Sequence, residues 1–250
     1  MKMTLLEIVQ DILNDLDSDF VNSIQDTVES EQVAQIVKTC YYEMIANRNW
    51  PHLRKLFQLE HSGDVSKPNY LKIPVNLKEM EFFKYEVQME DARVVQKTIK
   101  FKHPDEFLAI TTGRNSTSPT VDTVIDYSGS KILTINNTSP TYWTSFDDFN
   151  IVTDSYDKDE DVTLQSSKTQ CLGYIHPTWV HIDTAIPDLP TEAFPALLAE
   201  AKSTAFVSVK QMANQKAEQK AARQQRWLAR KAWRTEGAVR FDDYGRKGRR

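Results

Sequence analysis

The sequence predicts an α+β protein: an antiparallel helical bundle with a small β-rich domain inserted into it and a C-terminal arm projecting from it. Three observations carry this expectation. Apolar residues recur at helical spacing at both ends of the chain, and short β-prone runs separated by turn residues fill the middle. The charge also changes sign near residue 200: residues 201–250 carry a net charge of +10 and residues 1–200 a net of −14. The expected organisation is a helical hairpin over 1–50, the β-rich insertion over 51–190, a core helix over 191–215 and a basic, aromatic arm over 216–250.

The first helix is marked by Thr4 and Glu7 at capping-box spacing. Leu5, Ile8, Val9, Ile12, Leu13 and Leu16 follow as one apolar stripe. The second, at about 28–48, places Val33, Ile36, Val37, Cys40, Tyr41, Met44 and Ile45 on one face. It stops at Trp50-Pro51, because the residue before a proline is pushed out of helical geometry. Two such helices need a third element to cover their stripes.

The middle reads as strands at 55–60, 82–88, 94–101, 121–127, 131–135 and 149–153, with a hairpin turn at Asp126-Tyr127-Ser128-Gly129-Ser130-Lys131. His103-Pro104-Asp105-Glu106-Phe107 starts a short helix, with proline at its first position and acids in its first turn. After Pro190 the helical period returns through Phe194, Leu197, Leu198, Ala201, Ala205, Val209 and Met212, which supplies the missing third element. Beyond Met212 helix propensity stays high, but Ala213, Ala217, Ala221 and Ala222 alternate with polar residues. A single helix over 191–234 would be about 66 Å long and would overhang the body, so its second half is expected to project.

Catalytic signatures are missing. The sequence holds no G-x-S-x-G, Walker A or G-x-G-x-x-G pattern, and only seven glycines from which such loops are built. Asp157, Asp159 and Asp161 have the alternation of a calcium loop, but Val162 and Lys168 stand where an EF-hand needs Gly and Glu. Histidines 176 and 181 are separated by five positions and by Pro177, so they are not a helical ligand pair. Adjacent acids such as Asp147/Asp148 and Glu90/Asp91 are expected by chance among 35 carboxylates. Cys40 and Cys171 read as buried thiols of a chain that folds in a cytosol, since Met1-Lys2-Met3-Thr4 runs directly into the first amphipathic pattern. The expectation is therefore a non-enzyme with no catalytic, cofactor-binding or metal-ligating residue and no membrane partner.

The arm holds the chemistry that remains. Arg223, Arg226, Arg230 and Arg234 recur every three to four residues and share a helix face. Lys231, Trp227 and Trp233 are interleaved with them, and Phe241 and Tyr244 follow. Exposed tryptophan and arginine dominate binding hot spots. Basic residues alternating with aromatics also suit nucleic acid, through phosphate neutralisation and base stacking. A basic terminus that merely solubilises the chain is the third reading, and all three stay open on the residues alone.

The segment Ile186-Pro-Asp-Leu-Pro-Thr-Glu-Ala-Phe-Pro-Ala-Leu-Leu-Ala-Glu-Ala-Lys-Ser-Thr-Ala-Phe206, continuing to Gln225, resembles the C-terminal region of head-to-tail adaptors of short-tailed bacteriophages, the tail accessory or tail tubular proteins. The N-terminal helices with Tyr42 and Asn47-Arg48-Asn49-Trp50-Pro51 are similar to the same family, so the likeness covers both ends and their order. The resemblance implies a virion protein of the head–tail junction, made and assembled in the host cytoplasm. It implies a homo-oligomeric ring, commonly a dodecamer, with the portal protein above and tail nozzle or tail-fibre proteins below. Double-stranded DNA would pass through the lumen without sequence-specific binding. It further implies that Arg223, Arg226, Trp227, Arg230, Lys231, Trp233, Arg234, Phe241 and Tyr244 form a portal-binding arm.

Overall fold

The computed structural model describes residues 2–88 and 93–235, with side chains in the last helix as far as Leu228. Its helices are α1 (Leu5–Asp15), α2 (Val28–Ala46), α3 (Pro104–Thr112), α4 (Phe194–Lys210) and α5 (Gln215–Thr235). The strands are β1 (Arg54–Phe57), β2 (Glu60–His61), β3 (Tyr70–Lys72), β4 (Leu77–Gln88), β5 (Val94–Phe101), β6 (Val121–Ile125), β7 (Lys131–Ile135), β8 (Tyr142–Thr144), β9 (Asn150–Thr153) and β10 (Thr169–Ile175). The chain divides into two compact units, one of Met1–Leu53 with His176–Arg250 and one of Arg54–Ile175.

The first unit holds α1, α2, α4 and α5. The capping box of α1 forms as its sequence predicts: Glu7 N donates to Thr4 Oγ1 at 3.2 Å, and Thr4 N donates to Glu7 Oε2 at 2.7 Å. The remaining free amides of its first turn are met from far along the chain, Leu5 N by Ala185 O at 2.7 Å and Leu6 N by Asp183 O at 3.2 Å. The Asp183 carboxylate also accepts from Ile24 N at 2.8 Å, so one acid braces the turn that leads into α2. Leu5, Ile8, Val9, Ile12 and Leu13 are buried, as are Val33, Val37, Cys40, Tyr41 and Ile45 of α2 and Leu197, Ala201 and Ala205 of α4. Lys202 on α4 pairs with Asp11 at 2.9 Å and Asp15 at 2.5 Å on α1. Burial opposes its charge, but the two carboxylates outweigh burial and hold the ammonium above its ordinary pKa.

The second unit corrects the expected fold class. The molecule is a mixed α/β protein dominated by a curled eight-stranded sheet of order β1-β10-β4-β5-β8-β9-β3-β2, and not a helical bundle carrying a small β insertion. Every pairing in the sheet is antiparallel except β5 with β8, where Lys100 faces Tyr142 and Phe101 faces Trp143. β6 and β7 form a separate hairpin, closed at the predicted turn, where Gly129 takes φ 84° and Asp126 N donates to Ser130 O at 2.8 Å. Two apolar clusters fill the unit, one around Leu59, Leu71, Phe83, Ile99, Ile151 and Cys171, the other around Tyr70, Phe107, Val124, Ile132 and Val152.

The size of the sheet was hidden because β3, β8 and β10 were not legible as strands. β3 and β8 are three residues each, too short for a period-two pattern to show. β10 bends at register shifts beside Leu172/Gly173 and Tyr174/Ile175, which break its alternation. These strands are recruited by neighbours distant in sequence, as when β10 sits between β1 and β4.

The projecting arm is corrected as well. Instead of one helix over 191–234, the chain reverses at residues 211–214 and α5 folds back along α4. Gln211 closes α4 in the left-handed region at φ 53°, and Met212 N donates to Phe206 O at 3.2 Å across the cap. Asn214 then caps α5, its Oδ1 accepting from Ala217 N at 3.1 Å. A glutamine at a left-handed position costs about 1 kcal/mol or more. The alternating alanines that suggested an exposed helix make its inner face: Ala217, Ala221 and Leu228 are 9%, 3% and 5% exposed. Small side chains let two helices approach closely, and a pattern of single alanines does not announce that from sequence.

Candidate docking face on the last helix

The described part of α5 has two sides. Ala217, Ala221 and Leu228 face inward. Arg223, Arg226 and Trp227 lie on exposed positions, and Trp227 leaves 48% of its surface open. With Glu192, Pro195 and Gln224, Arg223 and Trp227 line an open cleft of about 460 Å³ where α5 passes the start of α4. The helix therefore offers two guanidinium groups and one indole on a single outer face, a combination suited to docking on an acidic, partly apolar surface.

Two polar links hold this face in place. Gln225 Nε2 donates to Glu200 Oε2 on α4 at 3.1 Å, and Arg48 Nη2 donates to Gln225 O at 3.4 Å. Arg48 also lies over the Trp50 ring, its guanidinium carbon 5.0 Å from the centroid, while Trp50 Nε1 donates to Met44 O at 2.9 Å. Burial draws the Arg48 pKa down from its ordinary value. The Asn47–Pro51 segment is thus a support for α5 as well as the end of α2. Sequence reasoning missed this role of Arg48, because no spacing rule links residues 177 positions apart.

Of the other residues assigned to the arm, Arg230, Lys231, Trp233 and Arg234 lie in the helical backbone of α5, beyond the last described side chain. Phe241 and Tyr244 lie outside the described residues, as do Glu90 and Asp91.

The acidic groups singled out in the sequence find partners nearby. In the acidic loop, Lys168 Nζ reaches Asp161 Oδ2 at 2.5 Å and Glu160 Oε2 at 3.2 Å, and Asp157 Oδ1 accepts from Asp159 N at 3.1 Å. Asp147 is a turn residue, its Oδ1 accepting from Phe149 N at 3.0 Å and Asn150 N at 2.8 Å. Among the described residues no group of three or more His, Cys, Asp or Glu could hold a metal ion, and no helix is long and apolar enough to cross a membrane. Cys40 and Cys171 are buried free thiols, pushed up by burial to about 11 and about 12. A comparison with protein-family models returns no match, and neither does one with curated protein sequences.

Proposed function

We propose that this protein is a virion structural component, the head-to-tail adaptor of a short-tailed bacteriophage, and that α5 carries its portal-binding face. The single observation behind the reading is the outer side of α5, where Arg223, Arg226 and Trp227 stand exposed on a helix belonging to the one basic region of an acidic chain. The resemblance of both chain ends to that family supports it. On this reading copies assemble as a ring, probed most directly as a dodecamer, between the portal and the tail nozzle or fibre proteins. An acidic lumen would repel phosphate and let double-stranded DNA slide through. On this reading the chain acts by assembly. Assembly on the portal template keeps the isolated protein monomeric.

Electron microscopy of the protein mixed with portal tests the reading. Full-length chain should decorate the portal as a ring, and the triple variant Arg223→Glu, Arg226→Glu, Trp227→Ala should not. Equal decoration by both would remove α5 as the docking face. A stable dodecamer of isolated protein would remove the template requirement.

A second reading, nucleic-acid binding, is favoured by one feature: residues 215–235 carry seven Lys/Arg against a single Glu. Duplex binding that weakens steeply with salt and is lost in the triple variant would select it over the adaptor.

A further inference from the structure

We infer that copies of this chain join edge to edge, the open edge of β1 in one copy adding as a strand to the open stretch of β5 in the next. β1 ends the eight-stranded sheet, with β10 as its one neighbour among the described residues. In the strand register no residue of β5 is paired on both sides. Val94 to Ile99 pair with β4, and only Lys100 and Phe101 pair with β8. The reason lies in β8. Lys100 N donates to Thr141 O at 3.0 Å and Lys102 N to Trp143 O at 2.9 Å, so the parallel ladder starts there. Extending it toward Val94 would need amides before Tyr142, but Thr141 N is spent on Asp154 Oδ1 at 3.0 Å and Pro140 has none.

Alternation fixes which backbone groups face outward. Lys100 turns its N–H toward β8, so Thr98, Gln96 and Val94 turn theirs, with their carbonyls, to the same side. Among the described residues nothing bonds them there. Carried through β4 and β10, the same alternation turns the N–H and C=O of Leu56 away from β10. Natural sheets blunt an open edge with lysine, proline or a covering element. Here Leu56 and Val94 are each more than half exposed, and the Lys97 ammonium is drawn aside to Ser139 Oγ at 3.3 Å and Thr141 Oγ1 at 3.1 Å.

A second copy of the chain fits the gap because the two edges complement each other. β1 is antiparallel to β10, β10 to β4 and β4 to β5, so β1 and β5 run in opposite directions. Copies set side by side in one orientation therefore bring β1 against β5 antiparallel, like the strands between them. Leu56 and Val94 both lie on the face opposite the Phe83, Ile99 and Cys171 cluster, so the added strand sets apolar beside apolar. The contact is head-to-tail, since each copy spends one edge and keeps the other, and such contacts close into rings or run on as filaments. β1 is only four residues long and Lys55 stays exposed on it, so the pairing is weak and joins copies where a template or high concentration gathers them. Closure into a ring rests on the adaptor reading, and the pairing itself rests on the sheet.

Sedimentation velocity of the full chain, from micromolar to millimolar concentration, tests the pairing. The weight-average mass of the unaltered protein should rise at least twofold, with no stopping size. Gln96→Pro with Thr98→Pro removes two outward N–H groups of β5 and spares its ladder with β4, and Leu56→Pro does the same for β1. Each variant alone should stay monomeric. Their mixture should form a heterodimer and nothing larger, because one open edge of each kind remains. Val94→Lys and Leu56→Lys keep every backbone group and replace any proline variant whose circular dichroism departs from that of the unaltered chain. An unaltered chain that stays monomeric at millimolar concentration overturns the inference. So does a Leu56 variant that dimerises by itself, which is β5 pairing with β5, and so does growth that both variants share with the unaltered chain. On the portal, a chain with both edges blocked should lose the ring, and undiminished decoration by it overturns the pairing as the contact between copies. If the mixture stops at the heterodimer and no form decorates the portal, the adaptor reading fails and the edge pairing stands.

Discussion

Arg114 and Asp154 form a buried ion pair, Nη2 to Oδ2 at 3.2 Å, with side chains only 11% and 7% exposed. Arg114 follows α3, and its Nη1 donates to Leu133 O on β7 at 2.9 Å. Asp154 follows β9, and its Oδ1 accepts from Thr141 N at 3.0 Å and Tyr142 N at 2.8 Å at the start of β8. One charge pair thereby ties the α3 end, the β6–β7 hairpin and two strands of the large sheet together, with its lone pairs and protons met by backbone.

Removing one partner leaves the other charge buried. Arg114→Leu and Asp154→Leu are each expected to destabilise the protein by about 3–5 kcal/mol, while the double variant should cost less than the sum of the two. Denaturant unfolding of the three proteins checks this, and additive losses would show that the pair is not coupled.

Gly173 lies at the bulge of β10, where a Cβ would meet the Glu79 carbonyl oxygen of β4 and crowd the Met80 backbone. Backbone cannot swing aside as a side chain does, so Gly173→Ala should push β10 from β4 and cost about 1–3 kcal/mol. A melting temperature equal to that of the unaltered protein would contradict the close approach.

The two thiols set an alkaline limit. Their folded values, about 11 for Cys40 and about 12 for Cys171, lie above the ordinary 9.0 because burial disfavours the thiolate. A raised folded value gives a contribution that is complete below pH 9 and is lost as pH climbs through the folded values. Stability should therefore fall progressively above pH 9, and the fall should be smaller in Cys171→Ala after correction for its own neutral-pH loss. A disulfide-exchange reagent at pH 8 should modify neither thiol in the folded protein and both after denaturation.

Arg226→Glu changes an exposed position of α5, so it should not move the melting temperature by more than about 2 °C, corresponding to within ±0.5 kcal/mol at the surface, whereas Trp227→Ala also removes a half-buried indole and should lower it. On the proposed adaptor reading, each should weaken capture by immobilised portal at least tenfold. Leu228→Ala is the contrast, since its side chain is buried and its loss should reduce helix packing as well.

Legibility followed the range of the interaction that stabilises each feature. The Thr4–Glu7 capping box, the stripe of α1, the Pro104 start of α3 and the Asp126–Ser130 turn all depend on residues within a few positions of one another, and each was readable in advance. Arg223, Arg226, Arg230 and Arg234 read from spacing as one helix face, and of these Arg223 and Arg226 stand at exposed positions among the described side chains of α5. The direction of α5 was not readable. Helix propensity is a local quantity and permits both one long helix and a hairpin, and Leu228, Gln225 and Glu200 decide between them only once packed.

What the sequence alone determined is therefore the set of amphipathic helices, the turn chemistry and the acidic-to-basic polarity. Tertiary structure decided the eight-stranded sheet, the parallel β5–β8 pair, the Arg114–Asp154 tie, the Arg48 support and the return of α5 onto α4. The physical reason is that strands of three residues and helices faced with alanine have too little intrinsic preference to declare themselves. Their stability comes from partners far along the chain, which a periodic pattern does not encode.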